Sequence, residues 1–472
     1  MAAHYSAGET KVRPGVYFRE TNGGGTELTG ARNGVVAAAF KANWGPLGEV
    51  ITLDSPSEIA EYYGDDSAEG SNVSILEKIF LGGASQIKAI RVGKGGTQAA
   101  ITLKDSADAD VVTLTALFAG SRPLSVTIKD SLSVETQREC IVLSETKELM
   151  KVTFAKGAGE VDALVAAING SDTAIVTAKK VAAGSGILAA TTQTAFTTAG
   201  ASPEITSNDY NDAFALLEAT QFNTVCVDTD DCAIHALLHA FAIRAHDSGI
   251  MAMAVTGDPL TVEYATRKAN AAAFNSNLHI HCVNGFEVDE EAYDGWKAAA
   301  VVAGYVAYLP ANDSPTHKII PGATAVYGAL TNTQIIECLQ SGCLVFTVSA
   351  TGAVWIEQGI NTLVSLTADQ DAGWKKIRRT KTRFELMQRI NENTEGIVGN
   401  VGNDSNGRQT FIAIANGVIN QMISEGKLIS GEVLEDQKNP AKGDSAWFII
   451  SVVDLDSIEK VYITYRFMFS EE

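Results

Sequence analysis

The residues best suited to chemistry fall on one predicted helix, 231–246. At roughly 100° per residue, Cys232, His235, His239 and His246 lie within about 60° of one another, and Cys226 stands just before them. A His-x-x-x-His pair on one helical face can ligate zinc. An α/β metalloenzyme using Cys232, His235 and His239 is therefore one hypothesis. Two features weigh against it. No glutamate stands beside the pair as a general base, which a His-Glu-x-x-His protease needs. Ile234, Leu237, Leu238 and Phe241 form an apolar stripe on the opposite side, so the histidines of a largely covered helix read equally well as polar core or rim residues. His279 and His281 share one face of a predicted strand, 279–283, and Cys282 takes the other.

Other chemical patterns are incomplete. Val92-Gly93-Lys94-Gly95-Gly96-Thr97 has a Gly-Lys without the upstream glycine spacing of a phosphate loop, and Gly184-Ser185-Gly186 lacks the third glycine of a dinucleotide fingerprint. There is no Gly-x-Ser-x-Gly elbow. Asp105, Asp108 and Asp110 do not follow the ligand spacing of a calcium loop. These patterns predict no catalytic residue, no metal and no cofactor.

Composition narrows the partners. The chain has 472 residues, 46% hydrophobic and 19% charged, which excludes a wholly disordered chain. Its 36 Lys and Arg against 56 Asp and Glu leave a net charge of −20, unfavourable for nucleic acid and anionic lipid. Self-association requires basic groups gathered where subunits meet. One such gathering exists: Lys375, Lys376, Arg378, Arg379, Lys381, Arg383 and Arg389, opposed only by Glu385. It reads as a solvated helix face or as a contact patch for an acidic surface. With only Phe384 interleaved, it is a poor nucleic-acid site. Cys140, Cys226, Cys232, Cys282, Cys338 and Cys343 are too sparse for a disulfide scaffold and read as reduced thiols. Met1-Ala-Ala-His-Tyr-Ser has no secretory pattern. The uncharged runs 181–203 and 298–312 are too polar or too short to span a bilayer, so membrane insertion is not expected and any exit from a cell is by lysis.

The elements that would position these residues predict a multidomain α/β (α+β) chain. Residues 1–26 read as an arm, in which Val16, Tyr17 and Phe18 form a β segment and Gly23, Gly24 and Gly25 a joint. Strands and helices alternate in 27–92 and again in 202–453, which predicts a discontinuous α/β core with a mainly parallel sheet. Predicted core strands lie at 34–40, 87–92, 224–227, 251–255 and 279–283, and a helix at 290–309. Between the two parts, 93–201 has short Thr- and Ser-rich alternating runs and reads as an inserted β-rich outer domain. A helix is predicted at 411–423 and a strand at 447–453. Residues 454–472 form a C-terminal β arm, with Val461, Tyr462, Ile463, Thr464 and Tyr465 in its strand and Asp454, Asp456 and Ser457 as its hinge. A short linker equally allows an intramolecular hairpin of 447–453 with 461–469.

Several segments, in this order, resemble the sheath proteins of contractile phage tails and related injection machines. They are Pro14-Gly15-Val16-Tyr17, Gly34-Val35-Val36, Asn43-Trp44-Gly45-Pro46, Phe80-Leu81-Gly82-Gly83-Ala84 and Phe222-Asn223-Thr224-Val225-Cys226-Val227-Asp228. Gly359-Ile360-Asn361-Thr362-Leu363, Ile397-Val398-Gly399-Asn400-Val401-Gly402-Asn403 and Asp456-Ser457-Ile458-Glu459-Lys460-Val461-Tyr462 follow. In the insert, Gly120-Ser121-Arg122-Pro123 stands where the family often shows Gly-x-x-Gly-Asn, so the insert matches more loosely. The resemblance implies a non-enzymatic subunit without cofactor. It would polymerise with itself as stacked rings around an inner tail tube protein, ending at baseplate and tail terminator proteins, and would lend its arms to neighbours. The particle would be a virion tail or a released phage-like particle such as a headless bacteriocin, assembled in the host cytoplasm. The basic cluster Lys375, Lys376, Arg378, Arg379, Lys381 and Arg383 would then touch the tube or a neighbour. A non-contracting surface-array protein is the other structural reading.

Overall fold

The computed structural model describes residues 3–4, 17–18, 33–64 and 70–468. Val16, Gly23, Gly24 and Gly25 lie outside them. Tyr17–Phe18 pairs in parallel with Ala3–His4.

The core is a six-stranded sheet in the order His279–Cys282, Met253–Gly257, Thr224–Val227, Val35–Phe40, Gln86–Arg91, Val50–Leu53. All neighbours are parallel except the edge strand Val50–Leu53, which runs antiparallel to Gln86–Arg91. The two halves of the chain meet where Val35–Phe40 pairs with Thr224–Val227. A strand covered on both faces must be apolar throughout, and Val-Val-Ala-Ala-Ala-Phe meets that requirement. Val36, Ala38 and Phe40 enter one apolar cluster, and Ala37 and Ala39 the other. Helix Gly295–Tyr308 belongs to the first face, and helices Ser207–Leu217 and Cys232–Asp247 to the second. The mixed α/β class expected from strand–helix alternation is the one observed. The long helix begins at Gly295 and not at 290, because Glu291–Tyr293 pairs with Gly285–Val288 first.

Residues 98–195 build two antiparallel sheets around a separate apolar cluster, with helix Glu160–Asn169 packed inside it. Arg91, only 1% exposed, fastens this unit to the core. Its Nε donates to the Ala42 carbonyl at 2.9 Å, and its Nη1 to Gly45 at 2.7 Å and to Ala119 at 2.8 Å. Burial lowers the Arg91 pKa to about 10, and three carbonyl acceptors offset that cost.

The last unit packs helices Ile377–Thr394 and Ser405–Ser424 against the hairpin of Leu428–Glu435 with Phe448–Asp454. Leu386, Val418, Ile419, Met422 and Val433 form its centre. The predicted strand 447–453 therefore finds its partner upstream, and the alternative hairpin with 461–469 is absent among the described residues.

Candidate functional site

Beyond Asp454 the chain leaves the hairpin, and its next few residues are held tightly. Asp454 takes two hydrogen bonds from Arg379, from Nε and Nη2, both 2.5 Å. Arg378 Nη1 donates to the Leu455 carbonyl, and its Nε to Asn312 at 2.8 Å. Lys376 Nζ lies 2.7 Å from Asp456 and 3.4 Å from Glu459. Glu459 also accepts from Ser314 at 3.3 Å, Thr316 at 3.2 Å and Gln358 at 3.1 Å. Burial works against the Asp456 charge, but hydrogen bonds from Lys376 and the Ser457 amide outweigh it and hold the carboxyl below its usual range. The Asp454 hydrogen bond raises the Arg379 pKa in turn. Residues 454–459 thus form a fixed root.

Among the described residues, strand pairing does not continue past that root. Residues 461–468 make no strand pairing, although their sequence alternates as a strand would. Tyr462 is 90% exposed, Phe467 83% and Met468 93%, and Val461, Ile463 and Tyr465 are also exposed. Six large apolar or aromatic side chains exposed within eight residues mark a surface suited to a partner. Asp454, Asp456 and Ser457, expected to be a hinge, belong to the anchored root, because each carboxylate there has a cationic partner.

The basic cluster differs from the exposed patch that its charge suggested. Each of its six cations is engaged within the chain. Besides the three at the root, Lys375 Nζ donates to the Val364 carbonyl at 2.8 Å. Lys381 Nζ donates to the carbonyls of Val306 and Leu309 at the end of helix Gly295–Tyr308, where a cation also suits the helix dipole. Burial lowers its pKa to about 7. The Arg383 guanidinium lies 4.0 Å from the centre of the Trp374 ring, and burial lowers its pKa to about 10. Local sequence shows a run of cations. It does not show carboxylates some 75 residues away that face them.

The histidines also gather. Asp231 caps their helix by accepting from Ala233 at 2.8 Å. His279 and His281 do share one strand face, and both reach Thr256 Oγ1, at 2.7 and 2.8 Å. His281 Nε2 lies 3.2 Å from Asp258. If that nitrogen carries the proton, Thr256 donates to His281 and accepts from His279, which leaves His279 Nδ1 an unpartnered acceptor. His239 packs edge-on against His279 and Phe274, at 5.2 and 5.3 Å between ring centres. His235 donates to the Thr229 carbonyl at 2.8 Å. An open cleft of about 290 Å³ adjoins, lined by Cys232, His235, His239, Asn270 and Phe274. Among the described residues no group of three or more His, Cys, Asp or Glu side chains is placed to hold a metal.

This cluster predicts acid sensitivity. Burial, and next the neighbouring His281, lower the His235 pKa to about 4, and burial lowers His279 well below its ordinary value. The unfolded chain therefore takes up protons first. Stability is complete above the ordinary histidine pKa of about 6.5 and falls as pH drops toward 4, by roughly 3 kcal/mol for His235 alone. Thermal unfolding at pH 7 and 4.5 should show the lower midpoint in acid, and His235→Gln should reduce the difference. Equal midpoints in the wild-type chain would contradict it.

Comparison with known proteins extends the picture. Residues 203–362 match the family described as phage tail sheath protein central domain. An uncharacterised protein of Bacillus subtilis, YqbK, is 24% identical over 382 residues, 79% of this chain and 77% of its own length. A sheath tail protein from Desulfitobacterium hafniense superposes with a TM-score of 0.70 at 22% identity, covering 93% of this chain and all of its own. One from Listeria innocua gives 0.66 at 19% identity, covering 91% of this chain and 97% of its own. The helical sheath of the anti-feeding prophage in its contracted state gives 0.57 at 10% identity, covering 97% of this chain and 99% of its own.

Proposed function

With a phage tail sheath protein central domain at residues 203–362 and the fold of solved sheath proteins, we propose that this chain is the subunit of a contractile sheath. It polymerises around an inner tube and contracts by rigid-body rearrangement, driving the tube through a cell envelope. One observation carries the reading: a run of exposed apolar side chains, 461–468, leaves a root pinned to the body. Such a segment gains most by adding to the sheet of a neighbouring copy, where main-chain hydrogen bonds supply affinity. Val461, Tyr462, Ile463, Thr464 and Tyr465 form the lent strand, with Val16, Tyr17 and Phe18 as its N-terminal counterpart. The fixed root fits subunits that turn as rigid bodies while their arms stay joined. Contraction would be driven by apolar area newly buried between subunits, at roughly 25 cal/mol per Å². The partners are further copies of the chain, an inner tube, and the baseplate and terminator proteins at its ends. The particle is a phage tail or a phage-derived injection system: residues 203–362 match a phage tail sheath domain, and the anti-feeding prophage sheath shares the fold.

Lys376, Arg378 and Arg379 of the basic cluster act here through the arm, as the anchor of its root. Their role is structural, and the α/β metalloenzyme built on Cys232, His235 and His239 is the weaker reading. Negative-stain microscopy of the purified chain, at moderate salt to screen its acidity, tests the proposal. Hollow tubes with a helical repeat are expected, alone or on a supplied inner tube. Discrete particles under both conditions, or flat ordered sheets, would overturn it.

A further inference from the structure

One helical turn separates Cys232 from His235, and both line the open cleft beside the histidine cluster. Cys232 is exposed at the first position of helix Cys232–Asp247. Residues three apart on a helix hold their Cβ atoms about 5–6 Å apart, a span that metal bonds of about 2.0–2.3 Å to nitrogen and sulfur can close. His235 is 1% exposed. Its Nε2 donates to the Thr229 carbonyl at 2.8 Å, which fixes the tautomer and leaves the lone pair on Nδ1. Nδ1 accepts no hydrogen bond from any described residue. A ring N–H held by a carbonyl, with the other nitrogen free, is the usual state of a metal-binding histidine. Asn270 Nδ2 lies 3.6 Å from the Cys232 sulfur and donates to Asp258 at 2.8 Å. Asp258 is 1% exposed, and its Oδ1 has no hydrogen-bond partner among the described residues.

We propose that Cys232 and His235 bind one soft, low-coordinate metal ion, copper(I). Thiolate and imidazole donors suit both zinc and copper, and the number of donors decides between them. Zinc sites use three or four protein ligands, whereas no described group of three or more His, Cys, Asp or Glu side chains is placed to hold a metal. Copper(I) is satisfied by two. On binding, the Cys232 thiol releases its proton to water, and its sulfur and His235 Nδ1 each donate a lone pair. The copper stays in the +1 state, so one proton leaves for one cation gained and no oxidant or reductant takes part. Burial keeps the His235 ring neutral at pH 7, with its pKa lowered to about 4, so no proton competes there. Burial, followed by the charges of Asp258 and Asp231, raises the Cys232 thiol. The same two carboxylates favour a cation in the cleft. The site binds without catalysing, and it is independent of the sheath reading.

The test is anaerobic titration of the folded, reduced full-length chain with copper(I) buffered by bicinchoninate, whose coloured complex reports the metal it gives up. The chain is expected to withdraw one copper(I), and loading should block alkylation of Cys232 by iodoacetamide. Cys232→Ala should lose that equivalent, and its exposed position lets the variant fold. His235→Gln should weaken binding by about 100-fold or more, beyond the roughly 10–100-fold lost with an outer partner of a ligand. Should that buried substitution unfold the chain, X-ray absorption of the loaded wild-type protein reads the same point, with one sulfur and one nitrogen donor expected at copper. Failure of the wild-type chain to withdraw copper would overturn the proposal, as would an equivalent retained by Cys232→Ala. So would a shell of sulfur alone, or equal protection of Cys232 by zinc(II) at the same free concentration.

Discussion

A chain lacking Tyr462–Glu472 is expected to fold as well as the full chain and to form no polymer. The described part of that segment makes no strand pairing and leaves its large side chains in water. Its removal therefore takes nothing from the monomer, and the unfolding free energy should change by no more than about 0.5 kcal/mol. What is lost is the strand offered to a neighbour, so the effect on assembly should be complete. Thermal unfolding and sedimentation of the two chains, beside microscopy, separate the two quantities. Polymers that persist without the segment would refute arm exchange. Arg379→Glu makes a graded companion. It keeps the whole arm and breaks the paired hydrogen bonds to Asp454. Because Arg379 and Asp454 are mostly buried, the expected loss is of order 2–3 kcal/mol, below the 3–5 of a completely buried pair. The arm would stay present but misdirected. Impaired assembly is expected here too, and reversing Arg378 as well should deepen it. Unchanged assembly in that double variant would remove any role for the anchor.

How much of this was legible beforehand depends on the range of the interaction. The core strands could be read because a strand covered on both faces is apolar nearly throughout, and 34–40 and 225–227 are. The shared face of His279 and His281 followed from the two-residue period. The strand Leu428–Glu435 was missed, because Ser430, Gly431 and Glu432 interrupt its alternation. Helix Asn332–Gln340 was missed as well, although its Thr331–Gln334 capping box is a local signal. The anchored root could not have been read at all. Ion pairing between Arg379 and Asp454 depends on where the hairpin returns the chain, and no local pattern carries that.

The larger stability effect should come from a residue with no side chain. Helix Gly295–Tyr308 is buried almost from end to end, from Ala298 to Ala307. It crosses helix Ser74–Leu81 with backbone against backbone. A Cβ on Gly304 would stand 2.1 Å from the Ile79 carbonyl oxygen, and one on Gly82 would stand 2.2 Å from that of Val301. The obstacles are main-chain atoms of packed helices, so no rotamer change can relieve them. Gly304→Leu must therefore drive the helices apart or unfold them. Either result opens the apolar cluster that contains Ile75, Leu76, Ile79, Val301 and Val302. A loss above about 4 kcal/mol is expected, against a total stability of roughly 5–15 kcal/mol for a domain. Even Gly304→Ala should cost about 1–3 kcal/mol as overpacking. Gly396→Ala is the control, because nothing lies within 4 Å of a Cβ there and its φ is unexceptional. Soluble yield and unfolding midpoint should collapse for Gly304→Leu, fall for Gly304→Ala and hold for Gly396→Ala. A soluble Gly304→Leu chain melting with the wild type would show that the two helices do not meet as described. The same contact lies behind the first strand of the core sheet, where the Gly34 amide donates to the Ala307 carbonyl at 2.9 Å. Damage there should therefore reach the joint between the two halves of the chain before it reaches the insert or the C-terminal hairpin, and hydrogen exchange of Gly304→Ala should be fastest in Val35–Phe40 and Thr224–Val227.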